Sequence, residues 1–174
     1  MKVIHKNYTI EKYHLSENGH IPNSPLPVII YKGVLTLPFL FPAAFIKTVF
    51  RQYNWSNAWT NGIYGFNHYH STTHEVLGIY KGSGTLQFGG EFGERVMVKK
   101  GDVIIIPAGV AHKNLTPQIE LKCVGAYPDG KNFDMNYGKP EERTRADANI
   151  RSLPIPAMDP VFGKDGKLVN YWKR

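Results

Sequence analysis

The stretch GIYGFNHYHSTTHEVLGIYKG, residues 62–82, decides the fold when it is set beside GDVIIIPAGVAHKN, residues 101–114. Side chains alternate faces along a β-strand, so His68 and His70, two positions apart, aim the same way while Tyr69 points oppositely. Ser71, Thr72, Thr73 and His74 read as a turn, after which Glu75 opens an alternating strand whose Leu77 and Ile79 share its face. A histidine pair and a carboxylate thus meet where two strands corner. In the second stretch, Asp102 to Ile106 reads as a buried strand and Pro107-Ala108-Gly109 as a tight turn, with His112 entering the returning strand. His68, His70, Glu75 and His112 can therefore close around one metal ion.

These two stretches resemble the two motifs of the cupin superfamily. The first motif is matched by Gly62, His68, His70, Glu75 and Gly82, the second by Gly101, Pro107, Gly109 and His112. Thr116 stands where the second motif has Asn, with Asn114 close by. The segments HIPNSPLPVIIYKG (20–33), NWSNAWTNGIY (54–64), GAYPDG (125–130) and the late DPVFGKDGKL run further resemble the bacterial YjlB-like cupins. The resemblance implies an all-β fold, the double-stranded β-helix or jelly-roll barrel, with a metal-type site. It also implies a homodimer, since cupins commonly pair through N-terminal strands and barrel faces.

Bulk properties are consistent with one domain spanning 1–174, because this length suits a single core. The expected organisation is an N-terminal arm and helix over 1–60, a barrel core over 61–127 and a wrapping segment over 128–174. Seventeen Gly and twelve Pro suit a turn-rich β protein. The N-terminus MKVIHKNYTIEKYHL has no continuous apolar core of a secretory signal, and Val34 to Ala44 is broken by Pro38 and Pro42, short of the ~20 residues that cross a bilayer. One cysteine excludes an intrachain disulfide and suits a reducing, cytoplasmic setting. The formal charge of +7 comes from scattered Lys and Arg without a nucleic-acid motif, which reads as a solvated basic surface rather than a phosphate-binding patch.

Residues 8–15 and 28–32 read as outer strands forming an arm, and Pro42 followed by Ala43, Phe45, Ile46, Val49 and Phe50 as a short amphipathic helix over one end of the barrel. Strands are expected at about 62–70, 75–81, 84–88, 94–98, 102–106, 111–116 and 119–127, a hairpin spacing typical of antiparallel sandwiches and barrels. Beyond Pro128 the chain reads as an irregular tail that wraps the barrel without a core of its own.

Three imidazoles and a carboxylate suit a divalent transition metal, Fe, Mn, Ni, Co, Cu or Zn, and not the all-oxygen shell of calcium. Four protein ligands leave positions for a small-molecule substrate, and Glu75 doubles as a candidate base. Tyr64, Phe66, Leu77 and Cys123 are candidate pocket-lining residues by alternation, with barrel filling as the competing role for the aromatics. Trp55 and Trp59 read as packing against the helix, His74 as a residue facing away from the cavity, and Tyr127 or Asp129 as an acid or base near the rim. Two functional classes follow: a metal-dependent enzyme of oxygenase or isomerase type, or a non-catalytic metal- or ligand-binding cupin.

Overall fold

The computed structural model describes residues 4, 5, 7–117 and 119–173; the outermost positions of the 1–174 span, with Lys6 and Gln118, lie outside it. Among the described residues nine strands form two antiparallel sheets. They are β1 (Thr9–Leu15), β2 (Ser24–Lys32), β3 (Trp55–Asn61), β4 (Glu75–Lys81), β5 (Ser83–Phe88), β6 (Glu94–Lys99), β7 (Val103–Ile106), β8 (His112–Asn114) and β9 (Lys122–Pro128). The larger sheet runs β1-β2-β7-β4-β9-β3 and the smaller β6-β5-β8, the two-sheet, all-β architecture of a cupin jelly roll.

The central strands of the larger sheet are buried on both faces, which explains unbroken apolar runs such as Val103-Ile104-Ile105-Ile106, whereas the edge strands β1 and β3 are partly exposed. Its inner face carries Val28, Ile30, Leu77, Ile79, Ile104, Ile106 and Cys123, packed on Leu86, Phe88, Val96 and Val98 of the smaller sheet. Its outer face carries Ile29, Tyr31, Val76, Val103, Ile105, Val124 and Ala126. Helix α1 (Pro42–Arg51) covers that outer face with Ile46, Val49 and Phe50, the apolar stripe expected of an amphipathic helix starting at proline.

The segment after Pro128 also reaches the outer face. Val161, Leu168 and Trp172 lie in the same buried cluster, so the tail supplies core where the sequence reading gave it none. Asp159 ties it down, accepting from the Tyr31 hydroxyl at 2.5 Å and from the backbone N–H groups of Val161, Phe162 and Leu168. The Trp172 indole donates to Pro27 O and that of Trp55 to Met158 O. Besides α1, the tail contains α2 (Arg143–Ser152) and the short α3 (Lys167–Tyr171), two helices absent from the sequence reading. Among the described residues no helix is long and apolar enough to cross a membrane.

Three boundaries differ from the sequence reading. Strand β2 begins at Ser24; Pro25 and Pro27 are tolerated because β7 pairs only with Ile29 to Tyr31. Residues 62–70 are not a continuous strand: the regular strand is β3 at 55–61, and only His68 and Tyr69 make isolated bridges. Ile119 is exposed in a turn before β9, so it leaves the face that Leu121 and Cys123 share.

Candidate metal centre

Backbone pairing joins the two motifs into one site. His68 and His112 exchange both backbone hydrogen bonds, at 3.3 and 2.9 Å, and their rings lie 4.2 Å apart. Gly109 N donates to His70 O, tying the Pro107-Ala108-Gly109 turn to the first histidine pair. Gly109 sits at φ +92, and a Cβ there would stand 2.3 Å from Asn23 O, so both the turn and the close approach require glycine. Glu75 at the start of β4 pairs with Ile106 at the end of β7, which brings the carboxylate beneath the histidines.

Each imidazole is fixed by its Nδ1. His68 Nδ1 lies 3.2 Å from Phe66 O, His70 Nδ1 2.5 Å from Asp134 O, and His112 Nδ1 3.2 Å from Val110 O. A carbonyl oxygen only accepts, so each Nδ1 carries the proton and each Nε2 presents its lone pair to the cavity. This is the second-sphere arrangement that orients metal-ligating histidines. The ligand nitrogens of His68, His70 and His112, all buried, lie within 4.8 Å of one another, close enough to hold one metal ion.

Glu75 completes the picture through its two oxygens. Oε1 accepts from the Tyr127 hydroxyl at 3.1 Å, and that hydroxyl accepts from the Trp59 indole at 2.7 Å. Oε2 is buried without a hydrogen-bond donor, yet stands 3.2 Å from His112 Nε2 and 3.5 Å from His70 Nε2. With protons on the Nδ1 atoms those approaches set acceptor against acceptor. They are favourable only with a positive charge among them, a proton on a ring or a metal ion. The donor set and the orphaned carboxylate oxygen therefore fit a divalent transition metal.

Charges follow the same logic. Burial opposes ionisation of Glu75, but His70 and His112 outweigh it and hold the carboxyl well below its usual range. Burial likewise opposes charge on His70, and the Glu75 carboxylate overcomes it, raising that imidazole. His68 is pushed down to about 3 by burial and then by neighbouring His112, leaving it a neutral imidazole. Burial and then the Glu75 charge raise Tyr127, which keeps its proton as a donor.

A cavity of about 360 Å³ opens beside this cluster. Tyr64 and Leu77 line it. Phe66 stacks on Tyr64 at 4.8 Å and meets His68 edge-on, half-exposed and outside the cavity lining. Cys123 is buried behind the lining, its thiol directed to Asn61 O and raised by burial and then by Glu75. The Tyr69 ring points away from the cavity, into a small cluster with Ala111 and Ala146. His74 also faces away but is buried, not surface: its Nδ1 accepts from Ala108 N and its ring meets Trp172. Thr116, in the place of the motif's Asn, accepts from Thr85 N and donates its own N–H to Asn114 Oδ1, clear of the histidines.

The site also includes residues that motif spacing missed. Phe133 and Met135 line the cavity, and Phe133 lies 5.0 Å from His70 and stacks on Tyr127. Between them Asp134 grips the first motif, its carboxylate accepting from Ser71 N and Oγ and from Thr72 N, while its carbonyl holds His70. A second cavity of about 220 Å³, lined by His74, Asp129 and Pro154 among others, lies apart from the histidine cluster.

Comparison with known proteins places these features. Residues 60–118 match the family described as Cupin domain. The uncharacterized protein YjlB of Bacillus subtilis (strain 168) is 37% identical over 163 residues, 93% of this chain and 96% of that protein. Among solved structures, acireductone dioxygenase from Bacillus anthracis, with a cadmium ion in its active centre, aligns at 17% identity with a TM-score of 0.40. That alignment spans 54% of this chain and 63% of the dioxygenase. A DUF861 family protein from Thermotoga maritima aligns at 21% identity and a TM-score of 0.33, over 56% of this chain and 96% of that one.

Proposed function

The chain belongs to the cupin superfamily, among the relatives of YjlB, and from that premise we propose a metal-dependent enzyme acting on a small organic molecule. His68, His70, His112 and Glu75 would hold one divalent transition metal. The observation that carries this reading is the pinning of all three Nδ1 atoms to carbonyls while the Nε2 atoms and unpaired Glu75 Oε2 converge beside an open cavity.

When bound, such a metal supplies Lewis-acid polarisation of a substrate oxygen or, with a redox-active ion, activation of dioxygen. The protein's own residues do the rest. Carbonyls of Phe66, Asp134 and Val110 keep the imidazoles aimed, and Tyr127 holds Glu75 Oε1 so that Oε2 faces the histidines. Glu75 is the carboxylate lining the cavity and would be the group placed to take a proton from a substrate. Phe133, Trp59 and Leu77 keep the substrate side of the cavity apolar.

A second reading, a non-catalytic ligand-binding cupin, is favoured by one feature: beyond the four ligand candidates, the titratable groups lining the cavity are the phenols Tyr64 and Tyr127. Oxygen uptake and substrate loss across a panel of small organic molecules separate the two. The enzyme reading expects turnover that depends on added metal and is lost in Glu75→Gln. Turnover by metal-stripped His112→Ala protein would sink it, and tight ligand binding with no turnover would favour the second reading.

A further inference from the structure

The chain carries a net charge of +7, yet no Lys or Arg is among the described residues lining the cavity, where Glu75 is the sole carboxylate. A phosphate or second carboxylate on a ligand would therefore meet apolar side chains and the neutral polar groups of Asn57, Thr60 and Asn61, with no Lys or Arg to pair it, at a cost that selects against it.

The apolar wall is built, not incidental. Strand β3 pairs Ser56 with Tyr127 but Trp59 with Gly125, so one extra residue is inserted between them, at Asn57, whose φ is +55. A one-residue insertion flips every later side chain to the other face. Trp55 thus enters the outer core while Trp59 turns into the cavity. Its indole then lies across Gly125, where a Cβ would stand only 2.2 Å from Trp59 Cε2, so this seat exists only because position 125 has no side chain. On another side Tyr127 and Phe133 stack with centroids 5.1 Å apart and planes 28° apart, and Phe133 continues to His70. The space among these rings, about 360 Å³, is at the small end of ligand cavities.

We propose that the ligand of this cavity is a small flat molecule, an aromatic or conjugated ring with oxygen donors at one end and no second charge. This rests on the metal reading above: the oxygens face the histidine cluster, and the ring lies among Trp59, Tyr127 and Phe133. Rigid rings favour such a wall because stacking adds to burial without freezing rotatable bonds.

Hydroxamates sharing one metal-binding head test it on the Zn(II)- or Co(II)-reconstituted protein. Acetohydroxamate reads the head alone, benzohydroxamate adds a flat ring, and succinic monohydroxamate adds a short charged tail. Dissociation constants from calorimetry should place benzohydroxamate at least about tenfold tighter than acetohydroxamate, and the charged analogue no tighter than acetohydroxamate. Phe133→Ala should shrink the ring's advantage severalfold. Acetohydroxamate binding with no ring advantage, or a succinic analogue equal to benzohydroxamate, would overturn this inference while leaving the metal reading standing. Absence of bound metal together with absence of binding by every hydroxamate would overturn both.

Discussion

Replacing Tyr127 with Phe removes one oxygen atom and two interactions, the donation to Glu75 Oε1 at 3.1 Å and the acceptance from Trp59 Nε1 at 2.7 Å. Trp59 is only partly buried at the cavity wall, so its indole N–H regains a water partner at little cost. Glu75 is 2% exposed and ionised, and no water replaces its donor so easily. A hydrogen bond to a buried charge is worth about 1.5–3 kcal/mol, so apo Tyr127→Phe should lose about 2–3 kcal/mol of stability. The same hydroxyl orients the Glu75 carboxylate proposed to hold the metal, and loss of such an orienting partner typically weakens metal binding by about 10–100-fold. Urea unfolding of the apo protein reads the first quantity and competition with a chromogenic chelator the second. A variant that matched wild type in both assays would refute the role given to Tyr127.

Other substitutions separate structure from site. Gly125→Ala puts a methyl into the Trp59 ring and should cost about 1–3 kcal/mol by overpacking, with a shift of tryptophan emission as the indole leaves its seat. His74→Ala leaves the buried Ala108 N–H unpaired and opens a void beside Trp172, so about 2–4 kcal/mol of stability should go while the metal content per chain stays at the wild-type value. Asp134 is held down at about 2 by the Ser71, Asn136 and Thr72 hydrogen bonds against the opposing effect of burial. Its folded pKa lies below the ordinary aspartate value of 3.8, so its contribution is present above that value and fades as pH falls towards about 2. Asp134→Asn should therefore be less stable at neutral pH and show a flatter acid limb in denaturant titrations from pH 6 down to pH 2.

The barrel and the histidine cluster are legible in the sequence because their signals are local. His68 and His70 sit two apart, Glu75 opens a strand whose Leu77 and Ile79 do go inward, and a Pro-to-Gly turn returns the chain at His112. The rest is set by contacts that leave no period in the chain. Trp55 and Trp59, four apart, would share a face in a regular strand, and only the bulge at Asn57 sends them to opposite sides. Helix α2 buries Ala146 alone of its ten residues, so its sequence RTRADANIRS shows no apolar stripe. Phe133 and Met135 enter the cavity from a stretch without regular structure, held by the Asp134 carboxylate on Ser71 and Thr72. Spacing rules see none of these.

Counting metal per polypeptide decides whether one metal ion sits among His68, His70, His112 and Glu75. Inductively coupled plasma mass spectrometry would be applied after anaerobic purification and reconstitution, to wild type and to Glu75→Gln and His112→Ala beside it. Because a site of several ligands weakens when one is lost, wild type should hold about one equivalent and each variant clearly less. Less than about a tenth of an equivalent in reconstituted wild type, or undiminished metal in both variants, would contradict it.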